Sequence, residues 1–213
     1  AAGRFVVVWG ELADESLAVC ARGFGADGSE RFGPISVADG LGDQDVFPRV
    51  AMASDGGFVV VFERRTRDVR AVGYSPDGAE RFPERSVSGV DAGDQLLADL
   101  AATPAGRFAI VWTDDRNQNR IGQIRARSFN ADGDEAVPEF AANPRGGGEQ
   151  LRPRIAVDRE GRTYVTWEDD EDRNGFFQVH ATGFDAAGKR ILRSVTVNTR
   201  WRGQQRRPAI AAR

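Results

Sequence analysis

The densest set of groups able to do chemistry lies in WEDDEDRNGFF, residues 167–177. Asp170, Asp172 and Asn174 alternate ahead of Gly175 in the order D-x-D-x-N-G. Oxygen donors at alternate positions before a glycine turn can wrap a hard cation such as calcium. The helix-loop-helix version of that pattern needs an acid at position 181, where this chain has Ala181. The expected site is therefore a hairpin loop, with Glu168 or Asp169 completing the shell. Asp115, Asn117 and Asn119 form a weaker copy, followed by Arg120 in place of glycine. The competing expectation is a solvated turn in which Asp, Asn and Gly take their usual turn roles, and Arg173 inside the loop favours it. Nothing in the chain requires a cofactor, and calcium is the one candidate.

A second set recurs. Asp43-Gln44, Asp94-Gln95, Glu149-Gln150 and Gln204-Gln205 each follow a glycine at similar spacing, and Trp201 stands beside the last pair. Carboxylates and planar amides suit sugar hydroxyls, and an aromatic ring suits the C–H face. Only one of the four pairs has a tryptophan, so four equal sugar sites are not expected. The structural alternative is that these pairs bond loop backbone and fix spacing. Arg49, Asp99 and Arg154 recur at a third position, where they could ring a channel mouth and pair with one another. Other chemistry is thin. His180 is the only histidine and Cys20 the only cysteine, which excludes a histidine metal cluster and an internal disulfide. Its repeat equivalents, Cys20, Arg70 and Arg125, make His180 read as ordinary strand surface. RGGGE at 145–149 lacks the lysine of a phosphate loop, and no serine, histidine and acid converge in a readable way.

These residues are positioned by an internal repeat. GRFVVVW (3–9) returns as GGFVVVF (56–62), GRFAIVW (106–112) and GRTYVTW (161–167), with closing aromatics 53, 50 and 55 residues apart. ARGFGADG, AVGYSPDG, ARSFNADG and ATGFDAAG follow in turn. Each unit holds four short alternating or β-branched runs bounded by Gly, Pro, Asp and Asn, which predicts four strands. In the second unit these are A (48–54), B (57–63), C (68–75) and D (81–89). No helical periodicity is present. Four strands every 50 residues or so predict propeller blades. The expected architecture is a single all-β, four-bladed propeller of four antiparallel strands per blade, with blades at 3–38 plus 208–213, 48–89, 98–142 and 153–198. Residues 208–213 match strand A and are expected to close the ring on the first blade, removing two open sheet edges. Ala51, Ala101, Ala156 and Ala211 are expected to crowd the axis, with Val50, Leu100, Ile155 and Ile210 between blades. The D-to-A and B-to-C loops should share one variable face, the better place for recognition.

The pattern P-x-[VI]-A…D-G-x-F-V-V-V-W…A-R-x-F-x-A-D-G…G-D-Q resembles the tandem β-propeller repeats of secreted and surface proteins of bacteria, most clearly in PRVAMASDGGFVVVF and ARGFGADG. The resemblance implies blade architecture and leaves activity open among adhesion, glycan binding and protein docking. The net charge of −3 offers no basic nucleic-acid footprint, and no apolar run approaches the roughly 20 residues of a membrane span. The leading expectation is a non-catalytic, extracytoplasmic protein-binding or scaffold module, a peripheral subunit of an envelope complex. On that reading Trp201, Gln204, Gln205, Asp43, Gln44, Asp94, Gln95, Glu149, Gln150, Arg49 and Arg154 form a binding face. A lectin using the same loops is the alternative, and a hydrolase with acids in the B-to-C loops is the third.

Overall fold

The computed structural model describes residues 3–13, 16–41, 47–64, 67–144, 147–200 and 202–213. Among these the chain is all β, in four antiparallel sheets. The first has three strands, β1 (Arg4–Ala13), β2 (Ser16–Gly25) and β3 (Glu30–Ala38). The second comprises β4 (Arg49–Met52), β5 (Phe58–Glu63), β6 (Val69–Tyr74) and β7 (Glu80–Ser86). The third runs β8 (Asp94–Ala102), β9 (Phe108–Asp115), β10 (Gln123–Phe129) and β11 (Glu135–Ala141), and the fourth β12 (Glu149–Val157), β13 (Thr163–Asp170), β14 (Gln178–Phe184) and β15 (Arg190–Thr196). Each four-stranded sheet is a meander in chain order.

The repeat carries into register. Trp9 pairs with Cys20, Phe62 with Arg70, Trp112 with Arg125 and Trp167 with His180. Tight turns close the A–B and C–D hairpins, with Gly78 in the left-handed region at φ 85°. Each C–D pair carries a bulge beside the C-strand aromatic. Gly73 shows why a small residue is needed there: a Cβ would stand 2.0 Å from the Phe82 ring. Gly73→Ala is expected to lower unfolding free energy by about 1–3 kcal/mol, as overpacking does, measured by chemical denaturation.

The core consists of three interfaces between successive sheets. Val60 and Phe62 face the first sheet with Val19, Ala21 and Leu41. Val59, Val61 and Val69 face the third with Leu100, Ile110 and Trp112. Ala109, Val111 and Ile124 face the fourth with Ile155, Val165 and Trp167. Phenylalanines stack across two of the seams, Phe32 on Phe58 at 5.6 Å and Phe82 on Phe108 at 5.9 Å. This corrects the expected alanine-lined axis. Val50 and Leu100 turn back toward the preceding sheet, while Ala51 and Ala101 turn toward the following one. Strand A alternates between two blade seams, so the alanines make room for the next blade's larger residue.

Two boundaries also differ. β8 and β12 begin at Asp94 and Glu149 rather than 98 and 153, because the strand continues through a bulge at Leu97 (φ 57°) and Arg152 (φ 50°). Residues 203–213 form no ladder, and β1 heads a three-stranded sheet, so the expected pairing of 208–213 with the first blade is absent. The segment nevertheless follows the path of an A strand. Gln205 N donates to Phe177 O at 2.9 Å, as Gln95 N does to Arg67 O and Gln150 N to Gly122 O. Arg207 repeats the positive φ at 56°. Among the described residues, its hydrogen bonds outside the segment run to the fourth blade, and Phe5 and Val7 on β1 stay 46% and 44% exposed.

Candidate functional site

Three B strands end in the same unit. Trp9 Nε1 donates to Glu11 (3.0 Å), Trp112 Nε1 to Asp114 (3.2 Å) and Trp167 Nε1 to Asp169 (2.7 Å). Phe62 has no indole N–H, and the matching position is Arg64, paired with Glu84. Burial opposes ionisation of Asp114, but the Arg116 guanidinium, the Arg116 amide and the Trp112 indole outweigh it and hold the carboxyl below its usual range. The acid after the tryptophan therefore anchors the B-to-C loop.

The next acid shapes that loop. Asp115 accepts from Asn119 N (3.0 Å) and Arg120 N (2.9 Å), and Asp170 accepts from Gly175 N (3.1 and 3.2 Å). In the candidate calcium set, Asp172 takes the backbone and side-chain amides of Asn174, and Asn174 Oδ1 takes Phe176 N at 2.7 Å. The oxygens of Asp170, Asp172 and Asn174 thus satisfy their own turn, and among the described residues no group of three or more His, Cys, Asp and Glu is placed to hold a metal. The geometry fits the solvated turn better than a cation loop.

The glutamines of the D-to-A markers are tethers. Gln95 is fully buried and its Nε2 donates to Ala92 O and Gly93 O. Gln150 Oε1 accepts from Asn143 Nδ2 at 3.1 Å. Gln204 spans Phe177 N and Gly175 O, and Gln205 Nε2 reaches Arg202 O at 3.4 Å. Asp43, Gln44 and Trp201 lie outside the described residues. On strand A, Asp99 accepts from Ile155 N at 3.2 Å. Burial raises its pKa, against the nearby charges of Arg154 and Arg49; among the described residues neither arginine forms an ion pair with Asp99, their guanidinium groups donating instead to Pro153 O and Pro48 O, and Asp99 ties two inner strands together.

The acids of the same markers open onto a cleft. Asp94 and Glu149 line it with Asp115, between Arg67 and Arg120 and over Leu96 and Leu151. Asp94 pairs with Arg67 at 3.0 Å. Burial raises the pKa of Glu149 and the nearby charge of Asp170 raises it further, with Arg152 and Arg206 opposing. Two small residues create the space. Glu63 reaches Leu97 N at 2.6 Å and Glu168 reaches Arg207 N at 2.9 Å, each spanning to the next A strand. The equivalent residue in the third blade is Thr113, which is too short. Where the other blades have Arg67 and Phe177, the third has Gly122, and a Cβ there would stand 2.6 Å from Thr113 Cγ2. The repeat alignment contained that signal, as two departures in one blade, but only the fold shows that they face the same seam.

A second cleft lies on the fourth blade, along Asp169, Asn174, Gln178, His180 and Thr196. His180 is not open strand surface as expected. Nδ1 lies 3.3 Å from Ser194 Oγ, Nε2 3.2 Å from Thr196 Oγ1, and the ring packs on Trp167. The second and third blades fill this place with arginine and glutamate, Arg70 with Glu84 and Arg125 with Glu139.

No protein-family model matches the chain, and no curated protein is similar to it. Solved structures do share its fold. A protein of unknown function from Dyadobacter fermentans aligns at 15% identity with a TM-score of 0.57, over 85% of this chain and 49% of its own. The α-L-arabinofuranosidase of Fusarium graminearum aligns at 10% identity and 0.55, over 92% and 63%. The α-L-arabinanase of Penicillium chrysogenum, solved with arabinobiose, aligns at 11% and 0.50, over 88% and 65%. This chain thus spans about half of the Dyadobacter protein and under two thirds of each enzyme. The likeness places it in the β-propeller fold. It also corrects the expectation of a non-catalytic scaffold, since two of these three fold relatives are carbohydrate-cleaving enzymes by name. That expectation rested on the lack of a readable serine–histidine–acid set and on taking the 168–172 acids as solvation, whereas Asp94, Asp115 and Glu149, from the ends of β8, β9 and β12, line one cleft.

Proposed function

We propose that this propeller is a carbohydrate-active hydrolase that cleaves a pentose-containing glycan at the cleft between the third and fourth blades. The observation that carries the reading is a cleft lined by three carboxylates, of which Glu149 is held protonated to higher pH than an ordinary carboxyl. Glycoside hydrolysis uses two carboxyl groups, one to protonate the leaving oxygen and one to act as base or nucleophile. A half-buried acid whose pKa is raised suits the first role, and we assign it to Glu149. Asp115 supplies the second carboxylate. Arg67 and Arg120 donate to sugar hydroxyls, and Leu96 and Leu151 offer apolar surface to a ring face. The enzymes sharing the fold, an arabinofuranosidase and an arabinanase, support a pentose substrate. An extracytoplasmic site of action fits a polymeric glycan. Release of reducing ends from arabinan, xylan and their oligosaccharides tests the reading; no release from any of them, by folded protein across a broad pH range, refutes it.

The proposal includes a closed four-bladed ring. The seam left open on β1 exposes Phe5 and Val7, whose equivalents Phe58 and Val60 are buried against the preceding blade. The opposite seam, on the fourth blade, is a groove with Val179, Ala181 and Val197 along it and Ile210 at its edge. By the pairing of Val50 with Val60, Ile210 should face Val7. With Cys20 replaced by serine, the Val7→Cys/Ile210→Cys variant is expected to oxidise to an intramolecular disulfide, seen as a faster-migrating monomer on non-reducing gels. Disulfide-linked dimers, or free thiols, would show that the blades do not close on themselves.

A further inference from the structure

We infer that the seam between the third and fourth blades is a subsite for a carboxylate carried by the sugar, so that the preferred substrate is a glycan containing uronate residues. This deepens the carbohydrate reading and rests on it.

Two of the chain's own carboxylates define what this position takes elsewhere. Glu63 and Glu168 are buried and accept from Leu97 N and Arg207 N, the left-handed residue that opens each following A strand. Arg152 is the equivalent residue in the fourth blade, with φ 50°. Among the described residues no side chain accepts from its amide, because Thr113 stands where the glutamate would be. Thr113 is 93% buried, being 7% exposed, and its hydroxyl has no hydrogen-bond partner. A buried polar group without a partner is costly, and this one lines the open cleft. A carboxylate entering from the cleft restores the missing group, accepting from Thr113 Oγ–H and Arg152 N. Arg120 adds positive charge at the rim. The neighbouring acids do not bar it: Asp94 is paired with Arg67, Asp115 carries two amide donors, and Glu149 resists ionisation. A neutral sugar can offer a hydroxyl oxygen to one of these donors but brings no charge to meet Arg120.

Calorimetry with glucuronate, glucose, acetate and arabinotriose tests this on the full chain. Glucuronate is expected to bind at least 10-fold more tightly than glucose. Thr113→Glu should abolish glucuronate binding, because the new side chain repeats the Glu63 arrangement, and its melting temperature should match or exceed that of the parent. Thr113→Val, which removes only the hydroxyl, should weaken glucuronate roughly 10-fold. Equal affinity for glucose and glucuronate overturns the subsite, as does undiminished glucuronate binding by folded Thr113→Glu. Arabinotriose binding or cleavage alongside either result leaves the hydrolase reading standing. Binding of acetate with no sugar bound at all overturns both the sugar-acid assignment and the carbohydrate reading.

Discussion

Glu149→Gln is expected to lower glycan cleavage by about 10²- to 10⁴-fold, the contribution of a positioned general acid, while the melting temperature stays close to that of the parent. Glutamine preserves the shape of Glu149 and cannot deliver the proton. The pH dependence follows from the direction of the shift. Burial, then the charge of Asp170, raises the pKa of Glu149, so the proton is retained above the usual carboxylate range and lost as pH rises through the raised value. Cleavage should therefore fall on the alkaline side of that value. Asp170→Asn removes the second cause while keeping an oxygen for Gly175 N, and should move that limb to lower pH. Stability carries the same sign: with the folded pKa above the unfolded one, the contribution of Glu149 is present below the ordinary carboxylate range and fades as pH rises through the folded value. Full activity in folded Glu149→Gln would remove it from the chemistry.

Trp167→Ala is expected to cost about 3–5 kcal/mol, the range for truncating a large buried aromatic side chain. In a domain of this size that is a fall of roughly 10 °C in melting temperature. Trp167 is fully buried in the seam between the third and fourth blades, packed with Val165 and Ile155. Its indole also holds Asp169 at 2.7 Å, and Asp169 in turn accepts from Glu171 N at the start of the 168–175 loop. The truncation opens a cavity and leaves a nearly buried carboxylate short of a donor, so the loop should loosen along with the seam. Trp167→Phe keeps most of the packing and loses only the N–H, as Phe62 does in the second blade. It should recover most of the lost stability in thermal unfolding followed by circular dichroism. A melt of Trp167→Ala within about 2 °C of the parent would contradict this account of the seam.

Blade number, strand order and register were legible in the sequence because each is local and repeated four times. The pairing of His180 with Trp167 could be read from Arg70 beside Phe62, and the tight A–B and C–D turns from their Asp-Gly and Ala-Gly pairs. The face on which Asp94, Glu149 and the B-to-C loops gather was equally readable, since strand alternation sends those connections to one side. The cleft was not. Its key residues, Thr113 and Gly122, look ordinary one at a time, and their meaning comes from a seam between blades that no window of sequence spans. Local periodicity determines which strands form and which way their side chains point. Only tertiary packing decides which blade faces meet, which carboxylates share a cleft, and which buried hydroxyl is left without a partner, because those contacts join residues tens of positions apart.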